Sequence, residues 1–136
     1  MAIDPNRAFK PVSIALLTVS DTRGPDEDTS GDILAARIRD AGHHLSTRAL
    51  EKDDADVIVT RFNNWIDDPS IDVIVSTGGT GLTGRDVTPE ALDRVKDKDI
   101  PGFGELFRML SYRTIGTSTV QSRACAVVAR GTYIFA

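Results

Sequence analysis

"STGGTGLTGRD", residues 76–86, decides how this chain is read. Within it, Gly79-Thr80-Gly81-Leu82-Thr83-Gly84 fits the G-x-G-x-x-G pattern of dinucleotide-binding turns. Taken through Arg85-Asp86, the same residues come close to a P-loop. Just before them, "IDVIVST" (71–77) is a mostly apolar run of strand length. Just after them, Thr88-Pro89-Glu90 is a strong helix start. It combines a capping hydroxyl, a proline in the first turn and an acid near the positive end of the helix dipole. The unit is therefore strand, glycine loop and a delayed helix, with the helix running to about Lys98.

The delay argues against a dinucleotide turn. There the helix begins within the glycines, so that its N-terminus meets the pyrophosphate. Here the helix signal comes only at Thr88, and the loop follows at least two strands rather than the first. The P-loop reading fails on chemistry, because Arg85 stands for the lysine and Asp86 for the magnesium-binding hydroxyl. What remains is a glycine cradle that offers backbone N–H groups to a phosphate. Thr77 and Thr80 flank it, and the carboxylate of Asp86 is a hard oxygen ligand able to hold Mg²⁺.

The rest of the chain supplies the scaffold. "VSIALLTVS" (12–20) has the pattern of a strand buried on both faces. Its following loop, 21–28, is acidic and is expected to be solvated, with metal contact as the alternative, and Ser30 or Thr29 caps a helix that stops at Gly42. "HHLSTRALEK" (43–52) alternates like a half-buried strand. Asp54 can cap a helix whose apolar stripe is Val57, Ile58, Phe62, Trp65 and Ile66. Phe103, Leu106, Phe107 and Leu110 lie at helical spacing, as core or as a contact between subunits. Residues 116–122 are open between loop and short helix. "ACAVVARGTYIFA" reads as two strands joined at Arg130-Gly131, with a helix over 118–129 as the rival.

Alternating strands and helices predict a three-layer α/β/α fold with a mostly parallel sheet and an antiparallel edge hairpin. Ligands of such sheets bind beyond the strand carboxyl ends. The glycine loop, Asp53 and Asp54, "DTSG" and the chain's own end are thus expected to meet at one site.

Composition limits the function. The chain has 136 residues, is 40% hydrophobic and 26% charged, and fits one domain over 12–136 after a flexible polar arm at 1–11. A net charge of -4 without a Lys/Arg cluster argues against a nucleic-acid surface. No apolar run has the length of a membrane span, and no secretory signal core is present. The single cysteine, Cys125, excludes an internal disulfide and reads as a small buried thiol. A cytoplasmic protein is the expectation. His43 and His44 lack partners for zinc.

"STGGTGLTGRDVTPEAL" followed by "PGFGELFRMLS", together with "VSDTRGPDEDTSG" and "IGTSTVQSRA", resembles the molybdopterin-binding MoaB/Mog family of molybdenum cofactor biosynthesis. The resemblance spans residues 12–136. It implies a molybdopterin-binding-domain-like fold and a homotrimer or homohexamer, working with other molybdenum cofactor enzymes. It implies binding of molybdopterin and adenylylation of its terminal phosphate with ATP and Mg²⁺, releasing pyrophosphate. The alternative in the same pathway is a non-catalytic molybdopterin carrier or scaffold. Residue by residue, Gly78, Gly79, Thr80 and Gly81 match the phosphate loop. Asp86 and Asp53 match catalytic, metal-holding aspartates, Glu105 the glutamate of "PGFGE", and Ser30 and Gly31 the "SG" of the first loop. Members of the family continue past the last strand with a further loop and helix, which the sequence here does not include.

Overall fold

The apolar runs become the central strands of one six-stranded sheet in the computed structural model, which describes residues 2–136. β1 (Ser13–Val19) lies between β2 (His44–Glu51) and β3 (Val73–Thr77) and is parallel to both. β3 pairs in parallel with β6 (Thr132–Phe135), which turns back onto antiparallel β5 (Ala126–Ala129). The hairpin reading of the last segment therefore holds against the helical one. Its turn places Arg130 and Gly131 at positive φ, 46° and 84°. A two-residue strand, β4 (Lys98–Asp99), pairs outside β5 and completes the order β2-β1-β3-β6-β5-β4.

Strand alternation divides the core. Ala15, Leu17 and Val19 of β1 face one way, with Ile74 and Ile134, onto α2 (Ala55–Ile66) and α3 (Thr88–Val95). Ile58 and Phe62 are fully buried there, so Phe62→Ala would cost about 3–5 kcal/mol. Trp65 joins the same core, whereas Val57 is 39% exposed and falls off the stripe. Ile14 and Leu16 face the other way and pack on Ala35 and Ile38 of α1 (Thr29–Asp40). Phe135, adjacent to the inward Ile134, meets Phe103 at a ring separation of 5.1 Å, which places α4 (Pro101–Ile115) on the α1 face. A 3-10 helix over Gly116–Gln121 leads from α4 toward β5.

Helix starts obey local chemistry with two corrections. Asp54 caps α2 as expected, accepting from Asp56 N and Val57 N at 2.9 and 3.2 Å. The cap of α1 is Asp28 rather than Ser30 or Thr29, its Oδ1 accepting from Gly31 N at 3.0 Å. Asp28 is also 2% exposed, so the acidic loop at 21–28 is not wholly solvated. Thr88 Oγ1 does not cap α3 but donates to Gly78 O at 2.9 Å, tying helix to glycine loop. α3 itself ends at Val95 instead of Lys98, because Lys98 and Asp99 are drawn into β4 by pairing with β5. No helix among the described residues is long and apolar enough to cross a membrane.

Candidate functional site at the strand carboxyl ends

The chain leaves β1 for β2 on one side and later returns to β3 on the other. The carboxyl ends of β1 and β3 thus mark the switch point of the sheet, where loops diverge and leave a crevice. A cleft of about 410 Å³ lies there, and Asp21, Asp53, Gly78, Gly79, Arg85 and Asp86 are among the residues lining it.

The glycine loop is held open by backbone geometry. Gly78 and Gly79 adopt φ of 96° and 71°. A Cβ on Gly78 would overlap the Val19 carbonyl, and one on Gly79 would overlap Thr88 Oγ1. Thr88 N also donates to Gly79 O at 3.1 Å. The carbonyls are therefore occupied on the protein side. The N–H groups of Gly79 and Thr80 donate to no acceptor among the described residues.

Three carboxylates share the cleft in different states. Asp86 Oδ2 accepts from Thr83 N and Oγ1 at 2.9 and 2.7 Å, and these bonds lower its pKa. Asp21 is lowered too, chiefly by its ion pair with Arg85, and its Oδ1 accepts from Asp53 N at 2.9 Å. Asp53 moves the other way: burial, and then the neighbouring charge of Asp21, raise its pKa. A cation beside Asp53 would relieve that strain. Among the described residues no three His, Cys, Asp or Glu side chains form a ready-made metal cluster.

One organising residue escaped sequence reasoning. Arg123, between the 3-10 helix and β5, divides its hydrogen bonds between the loop and Glu90. Its N donates to Thr80 O at 2.9 Å, Nε to Gly81 O at 2.7 Å and Nη2 to Asp86 O at 2.8 Å. Glu90 of α3 pairs with the same guanidinium at 2.5 Å and orients it. Asp21 is the second addition to the site. Its signal was its place at the carboxyl end of β1, whereas the only signal of Arg123, far from the loop in sequence, was its place within "IGTSTVQSRA".

Of the sequence-predicted site residues, Asp53, Asp86, Gly78 and Gly79 come together in the cleft. Thr77 ends β3 directly before it, and Thr80 and Gly81 form the part of the loop under Arg123. Ser30 and Gly31 do not line it. Ser30 Oγ accepts from Arg23 Nη1 at 3.2 Å, and Arg23 does line the cleft. Gly31 instead makes room for Asp28 and Arg48, which pair at 2.9 Å. Asp54 is used up as the α2 cap, and Ala136 pairs through both backbone groups with Cys125. Glu105 lies in a separate cleft of about 300 Å³ with Arg108 and Cys125. Arg108 does not pair with Glu105 but donates to the Ser122 and Ala124 carbonyls at 3.2 and 3.0 Å. Cys125 is half-buried rather than the fully buried thiol expected, and that partial burial raises its pKa.

Comparison with known proteins gives one consistent answer. Residues 15–136 match the family described as a probable molybdopterin binding domain. The chain is 49% identical over 128 residues to molybdenum cofactor biosynthesis protein B of Escherichia coli strain K12, covering 94% of this chain and 75% of that protein. A crystal structure of molybdenum cofactor biosynthesis protein B superposes with a TM-score of 0.89 at 40% identity, over 95% of this chain and 81% of that one. The tungsten cofactor synthesizing protein MoaB of Pyrococcus furiosus superposes at 0.82 with 35% identity, over 94% and 82% of the two chains.

Proposed function

The chain belongs to this molybdopterin-binding family of molybdenum cofactor biosynthesis, and we propose that its switch-point cleft binds molybdopterin and adenylylates the terminal phosphate with ATP, releasing pyrophosphate. One observation carries the reading. Two carboxylates, Asp53 and Asp86, flank the Gly78-Gly79 backbone within a single cleft.

The residues present fit Mg²⁺. Carboxylate oxygens are its preferred protein ligands, and it is commonly held by one or two of them together with phosphate oxygens and water. Asp53, raised by burial and by Asp21, and the free oxygen of Asp86 would hold it. Bound there, Mg²⁺ would supply neutralisation of phosphate charge.

The protein's own share is positioning. The attacking phosphate is already anionic, so no strong base is needed. The Gly79 and Thr80 N–H groups are free to hold a phosphate oxygen, and the Thr80 hydroxyl can join them. Arg123 and Thr88 fix the loop, so these donors need not be ordered during reaction. Ser30, through Arg23, and Glu105, from the neighbouring cleft, are the side chains assigned to the more distant parts of the ligand.

A contact between copies belongs to the same reading. α4 buries only Gly104, and Leu106, Phe107, Met109, Leu110, Tyr112 and Ile115 are each 43–57% exposed. Exposed apolar side chains this numerous on one helix suit a homotrimer or homohexamer.

The test is direct: the purified chain is supplied with molybdopterin, ATP and Mg²⁺, and AMP transfer is measured. Transfer supports the enzyme. Molybdopterin binding without transfer supports a carrier of the same pathway. Binding of neither ligand would defeat both.

A further inference from the structure

The two arginines of the cleft are engaged differently. Arg23 is turned to Ser30 at the first turn of α1. Arg85 instead reaches across the cleft to Asp21. Its Nε donates to Asp21 Oδ2 at 2.9 Å, and its Nη2 donates to that same oxygen. The other oxygen, Oδ1, accepts from the backbone N of Asp53. Asp21 thus ties Arg85 to the segment that carries Asp53.

We propose that Arg85 is the side chain that recognises the incoming phosphate, and that Asp21 holds it in waiting and so sets the phosphate affinity of the cleft. The inference rests on the reading of the cleft as a phosphate site. Three observations carry it. First, the pairing uses the guanidinium poorly. A fork of two N–H donors matches two oxygens of one anion, and here both donors crowd onto one carboxylate oxygen. A phosphate would engage the fork fully.

Second, the pair is easily exchanged. The Arg85 side chain is 64% exposed and that of Asp21 27% exposed, and ion pairs so close to solvent are weakly held. Third, the cleft needs a cation to admit an anion. Asp21, Asp53 and Asp86 all line it, and all three interact favourably with the Arg85 charge. A phosphate arriving without Arg85 would face those carboxylates with only Arg23, already bonded to Ser30, to offset them.

The experiment is calorimetric titration with pyrophosphate in the absence of divalent cations. The full chain is compared with Arg85→Ala, Arg85→Lys, Asp21→Asn and the double variant Asp21→Asn/Arg85→Ala. Arg85→Ala is expected to weaken pyrophosphate binding about tenfold or more. Arg85→Lys recovers only part, because lysine restores charge without the fork. Asp21→Asn keeps an oxygen for Asp53 N and removes the competing charge, so binding tightens several-fold. In the double variant that gain disappears. Unchanged affinity in Arg85→Ala overturns the inference, as does Asp21→Asn that binds no tighter while melting at the wild-type temperature. Should Asp21→Asn destabilise the fold, the Arg85→Ala and Arg85→Lys arms decide on their own. Absence of pyrophosphate binding by the wild type also overturns it. AMP transfer by the wild type is read separately. Transfer with Arg85-independent pyrophosphate binding sinks this inference and leaves the proposed function standing.

Discussion

Arg123 Nη2 donates to the backbone carbonyl of Asp86 at 2.8 Å, so a residue 37 positions downstream fixes the segment that presents the Asp86 carboxylate. The same guanidinium reaches Gly81 O through Nε and Glu90 through Nη1. Arg123 is therefore a positioning residue, acting on the site through the loop.

Removing that clamp should loosen the loop before it unfolds the protein. Arg123→Ala is expected to cost about 1–2 kcal/mol of stability. It should also lower AMP-transfer kcat/KM by well over tenfold. Amide exchange at residues 79–86 should speed up while exchange in β1 and β3 stays slow. Arg123→Lys keeps a charge for Glu90 but cannot span the Gly81 and Asp86 carbonyls together, so it should remain close to alanine. Wild-type kinetics in Arg123→Lys would remove the positioning role.

Asp53→Asn and Asp86→Asn test the carboxylates. Asp86 Oδ2 accepts two hydrogen bonds from Thr83, and an amide oxygen can still accept them, so the fold should persist with melting within a few degrees of wild type. AMP transfer should fall by at least about a hundredfold in either variant if both hold Mg²⁺. Raising Mg²⁺ should rescue neither fully. Full turnover in Asp86→Asn would sink the metal assignment.

Stability should carry an acid limb traceable to Asp28. Burial raises its pKa, but bonds from Arg48, Thr18 and Gly31 outweigh burial and leave it below the ordinary value of 3.8. A depressed folded pKa stabilises above the unfolded value, and that share is lost as pH falls toward the folded one. Asp28→Asn should cost about 1–3 kcal/mol near neutral pH, because it removes the buried charge that Arg48 and Thr18 bond, although Arg48 keeps Asp32 at 2.7 Å. The gap between wild type and variant should shrink as pH drops below about 4. Thermal melting from pH 7 to 3 checks this. A gap independent of pH would show that the charge of Asp28 contributes nothing.

The exposed apolar side chains of α4 predict assembly. Leu110→Asp, at a position 49% exposed in the single chain, should leave secondary structure unchanged and shift the protein to monomer. Light scattering coupled to size exclusion reads this out. A wild-type protein that is itself monomeric at micromolar concentration would remove the contact.

Much of this molecule was legible before folding. The strands at 13–19 and 73–77 follow from apolar runs too short for helices. The α2 start follows from Asp54, and the delayed α3 start from Thr88-Pro89. The delay also showed that the G-x-G-x-x-G match was a coincidence of glycines. Because ligands of such sheets sit at strand carboxyl ends, Asp53 and Asp86 could be placed together from sequence alone.

Tertiary structure decided what depends on partners distant in the chain. Lys98 and Asp99 became a strand only because β5 offered an open edge. Asp28 displaced Ser30 and Thr29 as the cap because Thr18 and Arg48, on two different strands, satisfy its second oxygen. The Thr88 hydroxyl found the Gly78 carbonyl rather than a helix amide. Glu105 went to a separate cleft because α4 packs beside β5 and not over the switch point. Sequence by itself determined which segments fold locally and where the glycine loop would stand. Long-range pairing determined which charges hold that loop in shape, since hydrogen-bond partners 33 to 64 residues apart leave no periodic trace in the chain.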